Sequence, residues 1–337
     1  MNPILSVRTL LAVNTLRSVL PAMLLASVLA IVSTLLQAQS YPLRPVKIVV
    51  PFPPGGSSDA VARVLGERLS EEWKQPVLIE NRPGAGTTIA GAYVAAAAAD
   101  GYTLFLQGVA TYATTGSLYR NLAFDPLKGF APVSMLSISP FILVTRNGLG
   151  VNSAKELAEL ARSKPGALSY GSSGSGGSPH LFTEMMARST GTRFLHVPFK
   201  GLAPAVMAAL SGDVDFLVAD VAVMPQVRAG KLKALAVSTA RQTTLAAGIP
   251  TMAESGLPGL VMPSAIAMLT TAGTPREVIS VINAQINRVL ANNDVRQKLI
   301  AQGFEPSGST PEELASLLTE EVRRLSAVIR EVGVKLD

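Results

Sequence analysis

The sequence predicts an α/β fold with largely parallel sheets, on three observations. Short apolar runs rich in Val, Ile, Leu and Phe recur along the chain, each bounded by turn residues, as buried strands are. Stretches of helical periodicity lie between them, so strand and helix alternate. No segment repeats at a fixed period, which excludes a solenoid.

Taken in order, strands are predicted at residues 46–51 and 77–80, enclosing a helix over 59–73. Ser58-Asp59 supplies that helix with a cap and an early acid. Strands follow at 103–107, 141–145, 168–171, 194–197, 216–219 and 234–237. Helices are predicted at 154–162, 181–189, 203–210, 275–290 and 312–331. Ser153 with Glu156 forms a capping box. Thr274-Pro275 and Thr310-Pro311 each set a cap before a first-turn proline, with Glu277 and Glu313 behind them.

Composition bounds the function. The 337 residues amount to roughly two domains at ~100–200 residues each. With 48% hydrophobic and 15% charged residues, the chain is not disordered. The absence of Cys excludes disulfides, thiolate metal ligands and a cysteine nucleophile. Only His180 and His196 remain for a histidine site, so neither metal nor cofactor is expected. The net charge of +6 falls to +4 beyond residue 40, because Arg8 and Arg17 are the only charges before it. The remaining charge is scattered, and residues 312–335 alternate acid and base as a solvated helix face does. No basic stripe interleaved with aromatics occurs, so nucleic acid is not an expected partner.

Residues 1–40 read as an export signal. Arg8 and Arg17 precede an apolar stretch over 19–36, broken by Pro21, Ser27 and Ser33, and Ala38-Gln39-Ser40 is a small-residue exit before Tyr41. Cleavage is expected near Ser40-Tyr41; the alternative is an uncleaved anchor close to the minimum spanning length. The mature chain is expected to be soluble and exported.

Loops between strand and helix carry the polar residues able to hold a ligand. Pro51-Phe52-Pro53-Pro54-Gly55-Gly56-Ser57-Ser58-Asp59 gathers free backbone N–H groups and the positive end of a helix dipole. It is either a carboxylate or phosphate site or a rigid turn. Asn81-Arg82-Pro83-Gly84-Ala85-Gly86-Thr87-Thr88 offers two glycines for close backbone approach and two hydroxyls. It fails as a dinucleotide fingerprint, since Ile89 stands at the third glycine position, and no G-K-[ST] occurs. Arg82 is expected to pair structurally.

Tyr170-Gly171-Ser172-Ser173-Gly174-Ser175-Gly176-Gly177-Ser178-Pro179-His180 is a cradle of four serine hydroxyls and unhindered amides. A hydrolase would use Ser173 with His180 as base, but no G-x-S-x-G elbow is present. His180 is therefore read as a packing or locally bonded histidine. Lys200, after His196-Val197-Pro198-Phe199, is read as a solvated lysine. Asp220 closes the strand at 216–219, where it either receives a ligand amine or caps the turn before Pro225. No acid–base pair accompanies these loops, so they read as recognition without chemistry.

These segments resemble a known family. Tyr41-Pro42-Leu43-Arg44-Pro45, the 51–56 loop, Glu80-Asn81-Arg82-Pro83-Gly84-Ala85-Gly86 and Asp100-Gly101-Tyr102-Thr103-Leu104 open its pattern. The 170–175 segment with His180-Leu181, His196-Val197-Pro198-Phe199-Lys200-Gly201 and Gly230-Lys231-Leu232-Lys233-Ala234-Leu235-Ala236-Val237 continue it. In order and spacing the chain looks like the Bug-type extracytoplasmic solute receptors of tripartite tricarboxylate transporters.

The resemblance implies a two-lobed periplasmic binding protein of Venus-flytrap form, each lobe a mainly parallel sheet flanked by helices. Residues 41–143 plus 263–337 would form one lobe and 144–262 the other. It implies capture of a small carboxylate (a dicarboxylate, amino acid or aromatic acid) in the interlobe cleft, without a charged clamp. Phe52, Pro54, Gly55, Gly56 and Ser57 would meet it from one loop, and Gly84, Ala85, Gly86, Thr87 and Thr88 from the next. Ser172, Ser173 and Ser178 would approach from the second lobe, with Asp220 where an amino group is read. The implied partners are the ligand and the membrane subunits of a transporter, or else a sensor kinase; a periplasmic monomer that is not an enzyme is expected. Three departures bear on the ligand or the pattern: Thr87 replaces a common Gly, Ala99 replaces a common Pro, and Ser264-Ala265-Ile266-Ala267-Met268 lacks a Trp often found there.

Overall fold

A β-branched run such as Val46-Lys47-Ile48-Val49-Val50 buries side chains on both faces only inside a sheet covered on both sides. The computed structural model provides that cover. It describes residues 41–332 apart from 120 and 200; the expected export segment at 1–40 and Lys200 lie outside the described residues.

Among the described residues there are two sheets. The first holds β1 (Val46–Val50), β2 (Val77–Asn81), β3 (Thr103–Gly108), β4 (Phe130–Ser139), β10 (Ser264–Thr271) and β11 (Glu305–Pro306), in the order β11-β4-β10-β3-β1-β2. The second holds β5 (Ile142–Arg146), β6 (Ser169–Ser172), β7 (Leu195–Pro198), β8 (Phe216–Ala219) and β9 (Leu232–Val237), in the order β7-β6-β8-β5-β9. Both sheets are mixed rather than mainly parallel: β1, β2 and β3, and β6, β7 and β8, run parallel, while β11 pairs antiparallel with β4. β10 lies antiparallel between β3 and β4, and β5 lies antiparallel between β8 and β9. These reversed strands are the ones the chain enters directly on crossing between lobes.

The crossings are short. Pro140 separates β4 from β5, and Pro263 precedes β10. Ser238 clasps both: its Oγ accepts from Phe141 N at 2.9 Å, its N donates to Phe141 O at 2.8 Å, and its O accepts from Met262 N at 3.0 Å.

The helices are α1 (Ser57–Trp73), α2 (Thr88–Ala95), α3 (Val109–Leu118), α4 (Ala154–Ser163), α5 (Ser178–Thr190) and α6 (Leu202–Ser211). After them come α7 (Met224–Arg228), α8 (Arg276–Ala291), α9 (Asn293–Ala301) and α10 (Pro311–Val332). The caps differ from expectation in three places. α1 begins on Gly56 with no side-chain cap, because Asp59 turns back to accept from Gly55 N at 2.9 Å. Ser153 caps α4, but Glu156 returns to Asn152 N rather than to Ser153. Thr274 does not cap α8; its hydroxyl donates to Thr271 O at 2.8 Å. The Thr310–Glu313 box is complete, with Glu313 N on Thr310 Oγ1 at 3.1 Å and Thr310 N on Glu313 Oε2 at 2.8 Å.

One helix joins the two cores. Leu314 and Leu318 of α10 pack with Val49, Phe105 and Leu269 of the first lobe. Two turns on, Leu325 enters the second-lobe core beside Phe182, Met186 and Phe216. Val328 and Ile329 then meet Leu118 of α3 and Leu181 of α5. The acid–base alternation on its outer face resolves into Glu320–Arg323 and Glu321–Arg324 pairs.

Candidate functional site

Strand ends in an open α/β sheet face the crevice where ligands bind, and here they do so from both lobes. The ends of β1, β3 and β8 and the start of α5 converge on a cleft of about 600 Å³. Phe52, Ser58, Gly108 and Thr111 form its first-lobe wall. Ser178, Asp220, Met224 and Arg228 form the facing wall, and Ser139, Phe141 and Ser264 of the crossing segments lie between them.

Three helices open onto this cleft, and each starts on a glycine without a side-chain cap: α1 on Gly56, α3 on Gly108 and α5 on Gly177. First-turn amides have no partner within their own helix, so these ends offer donors and positive dipole ends to one volume. Elsewhere Ser153, Asn292 and Thr310 cap α4, α9 and α10 with their side chains. A capless start is not confined to the cleft, since α6 begins on Gly201 in the same way.

The 52–58 loop is held from behind. Asp59 is buried and accepts from Gly55 N, from Arg63 Nε at 2.8 Å and from Asn81 Nδ2 at 3.0 Å. Asn81 Nδ2 also donates to Phe52 O at 3.0 Å, tying the second loop to the first. The Arg63 guanidinium, helped by Gly55 and Asn81, outweighs burial and holds the Asp59 carboxyl at about 2.

Asp220 both caps and faces the cleft: its Oδ1 accepts from Ala222 N at 3.0 Å, and burial raises its pKa. The two alternatives posed by the sequence are therefore compatible. His180 serves its own loop, with Nδ1 accepting from Gly176 N at 2.9 Å and Nε2 directed toward Glu184 Oε1 at 3.9 Å. Its ring stacks on His196 at 4.1 Å between centroids, and burial lowers both; the neighbouring His180 helps bring His196 to about 4.

Of the residues singled out in the sequence, Phe52, Ser178 and Asp220 line the cleft. Pro54, Gly55 and Gly56 lie exposed in the loop between its wall residues Phe52 and Ser58, and Ser57 opens α1. Ser172 is sealed, its Oγ 2.7 Å from His196 Nε2 and accepting from Gly174 N at 3.1 Å; Ser173 follows it, half-buried and off the cleft wall. Gly84, Ala85, Gly86, Thr87 and Thr88 are also off that wall. The first four are all left-handed, with φ of 131°, 42°, 58° and 82°, and Thr87 Oγ1 accepts from Gln107 Nε2 at 3.1 Å, directly behind Gly108. A side chain at Gly86 would collide with the Tyr119 hydroxyl, so this glycine is required by packing.

Sequence reasoning missed Ser58, Gly108, Thr111, Ser139, Ser264 and Arg228 as wall residues. The dipeptides Ser139-Pro140 and Pro263-Ser264 were available as signals of a chain crossing; Arg228 had none. Among the described residues no three His, Asp or Glu are placed to hold a metal, and no helix is long and apolar enough to cross a membrane.

Two α/β lobes that share crossing strands and aim uncapped helix starts into one cleft define a solute-binding receptor. The chain belongs to the tripartite tricarboxylate transporter receptor family (TctC), whose model matches residues 61–334. It is 36% identical over 301 residues to protein BugT of Bordetella pertussis, covering 89% of this chain and 92% of that one. Among solved structures it is similar to Rpa4515 of R. palustris with adipate (TM-score 0.75, 34% identity, 88% of this chain and 100% of the other). It is similar as well to MatC of Rhodopseudomonas palustris with bound malate (TM-score 0.71, 32% identity, 86% and 100%). The family is that of the Bug-type extracytoplasmic solute receptors, and the chain is likewise similar to the solved periplasmic binding protein BugD (TM-score 0.71, 32% identity, 88% of this chain and 100% of the other).

Proposed function

We propose that this chain captures a small carboxylate between its lobes and that the closed form engages the membrane subunits of a transporter rather than a sensor kinase. The observation that carries this is the meeting of three glycine-started, uncapped helices at one cleft. Backbone amides suit a carboxylate because they are neutral until aligned, so clearing water from them costs less than burying a cation. Relatives with adipate and malate support the ligand class. The lobes divide at the crossings beside Pro140 and Pro263. The first falls two residues short of the expected 143/144 boundary, because Ile142 and Leu143 belong to β5. The ligand draws the lobes together by contacts made only when both touch it. Residues 1–40 direct export and are removed near Ser40-Tyr41, leaving a periplasmic monomer that performs no catalysis. The loops at 52–57 and 84–88, with Ser172, Ser173 and Ser178, shape the ligand's surroundings directly or from behind.

Thermal melting against dicarboxylates, amino acids and aromatic acids tests this. A true ligand at a hundred times its Kd adds ~2.7 kcal/mol, and silence across the whole panel removes the proposal.

A further inference from the structure

The cleft wall is nearly neutral. Its lining contains one acid, Asp220, and one cation, Arg228. Arg228 ends the short helix α7, and its side chain is exposed at the cleft. Among the described residues it makes no ion pair, in contrast to Arg146 of the same lobe, which holds Asp215 Oδ1 at 2.9 Å. Asp220 does not neutralise it either; that carboxylate accepts from Ala222 N. Gln302 and Gly303 of the first lobe line the same cleft, Gly303 packing against Val221. A fork of five guanidinium donors therefore lines a binding volume whose one acid, Asp220, does not pair with it. The cleft, at about 600 Å³, falls in the range of drug-sized ligands and exceeds what one carboxylate group requires.

We propose that Arg228 is a second anion anchor that sets ligand specificity: a ligand whose first carboxylate meets the helix starts carries a second one that reaches the Arg228 guanidinium. The proposal rests on the carboxylate-receptor function and narrows it to dicarboxylates. A monocarboxylate leaves Arg228 in water and gains nothing from it. A dicarboxylate of matching length exchanges that water for a paired, charge-assisted contact.

Titration calorimetry on the purified protein tests this with matched acids that differ only in the second carboxylate: succinate and butyrate, adipate and hexanoate, suberate and octanoate, terephthalate and benzoate. The wild type is expected to prefer the diacid of at least one pair by about tenfold or more. Arg228→Gln is expected to weaken that diacid by about tenfold, to leave its monoacid partner within about twofold, and to melt unchanged without ligand because the side chain is exposed. Arg228→Lys should restore part of the diacid preference, since it keeps charge without the fork. Equal binding of diacid and monoacid by the wild type, or full diacid affinity in Arg228→Gln, overturns the assignment while leaving the receptor function standing. A wild type that binds none of the eight acids removes the carboxylate function and this anchor with it.

Discussion

Asp59 is a buried carboxylate surrounded by donors from three parts of the chain: Gly55 N, Arg63 Nε and Asn81 Nδ2. Its folded-state value of about 2 lies below the ordinary carboxyl value near 4. The stability it contributes is therefore complete above about pH 4 and is lost as pH falls through about 2. Asp59→Asn is expected to cost on the order of 2 kcal/mol at neutral pH. Urea denaturation of both proteins from pH 6 to 2 checks this; the gap should close over the last two units, and a gap that stays constant sinks the assignment. The residue pair Ser58-Asp59 is legible in the sequence as a helix start. The role of Asp59 is not, because Asn81 lies 22 residues away and spacing carries no trace of that contact.

Among the elements, legibility follows hydrophobic patterning. The strands at β1, β3 and β8 are readable because their burial is carried by Val, Ile, Leu and Phe. β4 escapes because three of its buried residues are serines: Ser134, Ser137 and Ser139 are sealed in the sheet, and Pro132 interrupts the run. β10 spaces Ile266 and Leu269 among Ser, Ala, Met and Thr rather than in an apolar run, and α3 is rich in Thr and follows β3 without a linker. Their burial is set by tertiary neighbours, which a local pattern cannot report. The cleft residues Gly108, Ser139 and Ser264 belong to these missed boundaries, so they escape with them. Caps fare better where the partner is local. Thr310→Ala should destabilise by about 1 kcal/mol, because it removes the acceptor of Glu313 N at the head of α10. Denaturant unfolding measures it, with Thr310→Ser, which keeps the acceptor, expected near wild type.

For the whole molecule, α10 is the decisive element. It is rooted in the first lobe by Leu314 and Leu318 and completes the second by Leu325. Leu325→Ala should cost about 2–5 kcal/mol, as buried Leu truncations do, and should loosen the second lobe more than the first. Hydrogen exchange compared between the sheets tests this, and equal loss in both would refute it. The bridging helix also orders events during folding. Residues 142–262 are contiguous and precede residue 325 in the chain, yet their core keeps a vacant position until that leucine docks. The second lobe thus stays locally incomplete, with apolar surface uncovered, until residues 311–332 are in place. That core member follows every strand of both sheets in the chain, so the second lobe closes its core only once the first lobe has lent it a helix.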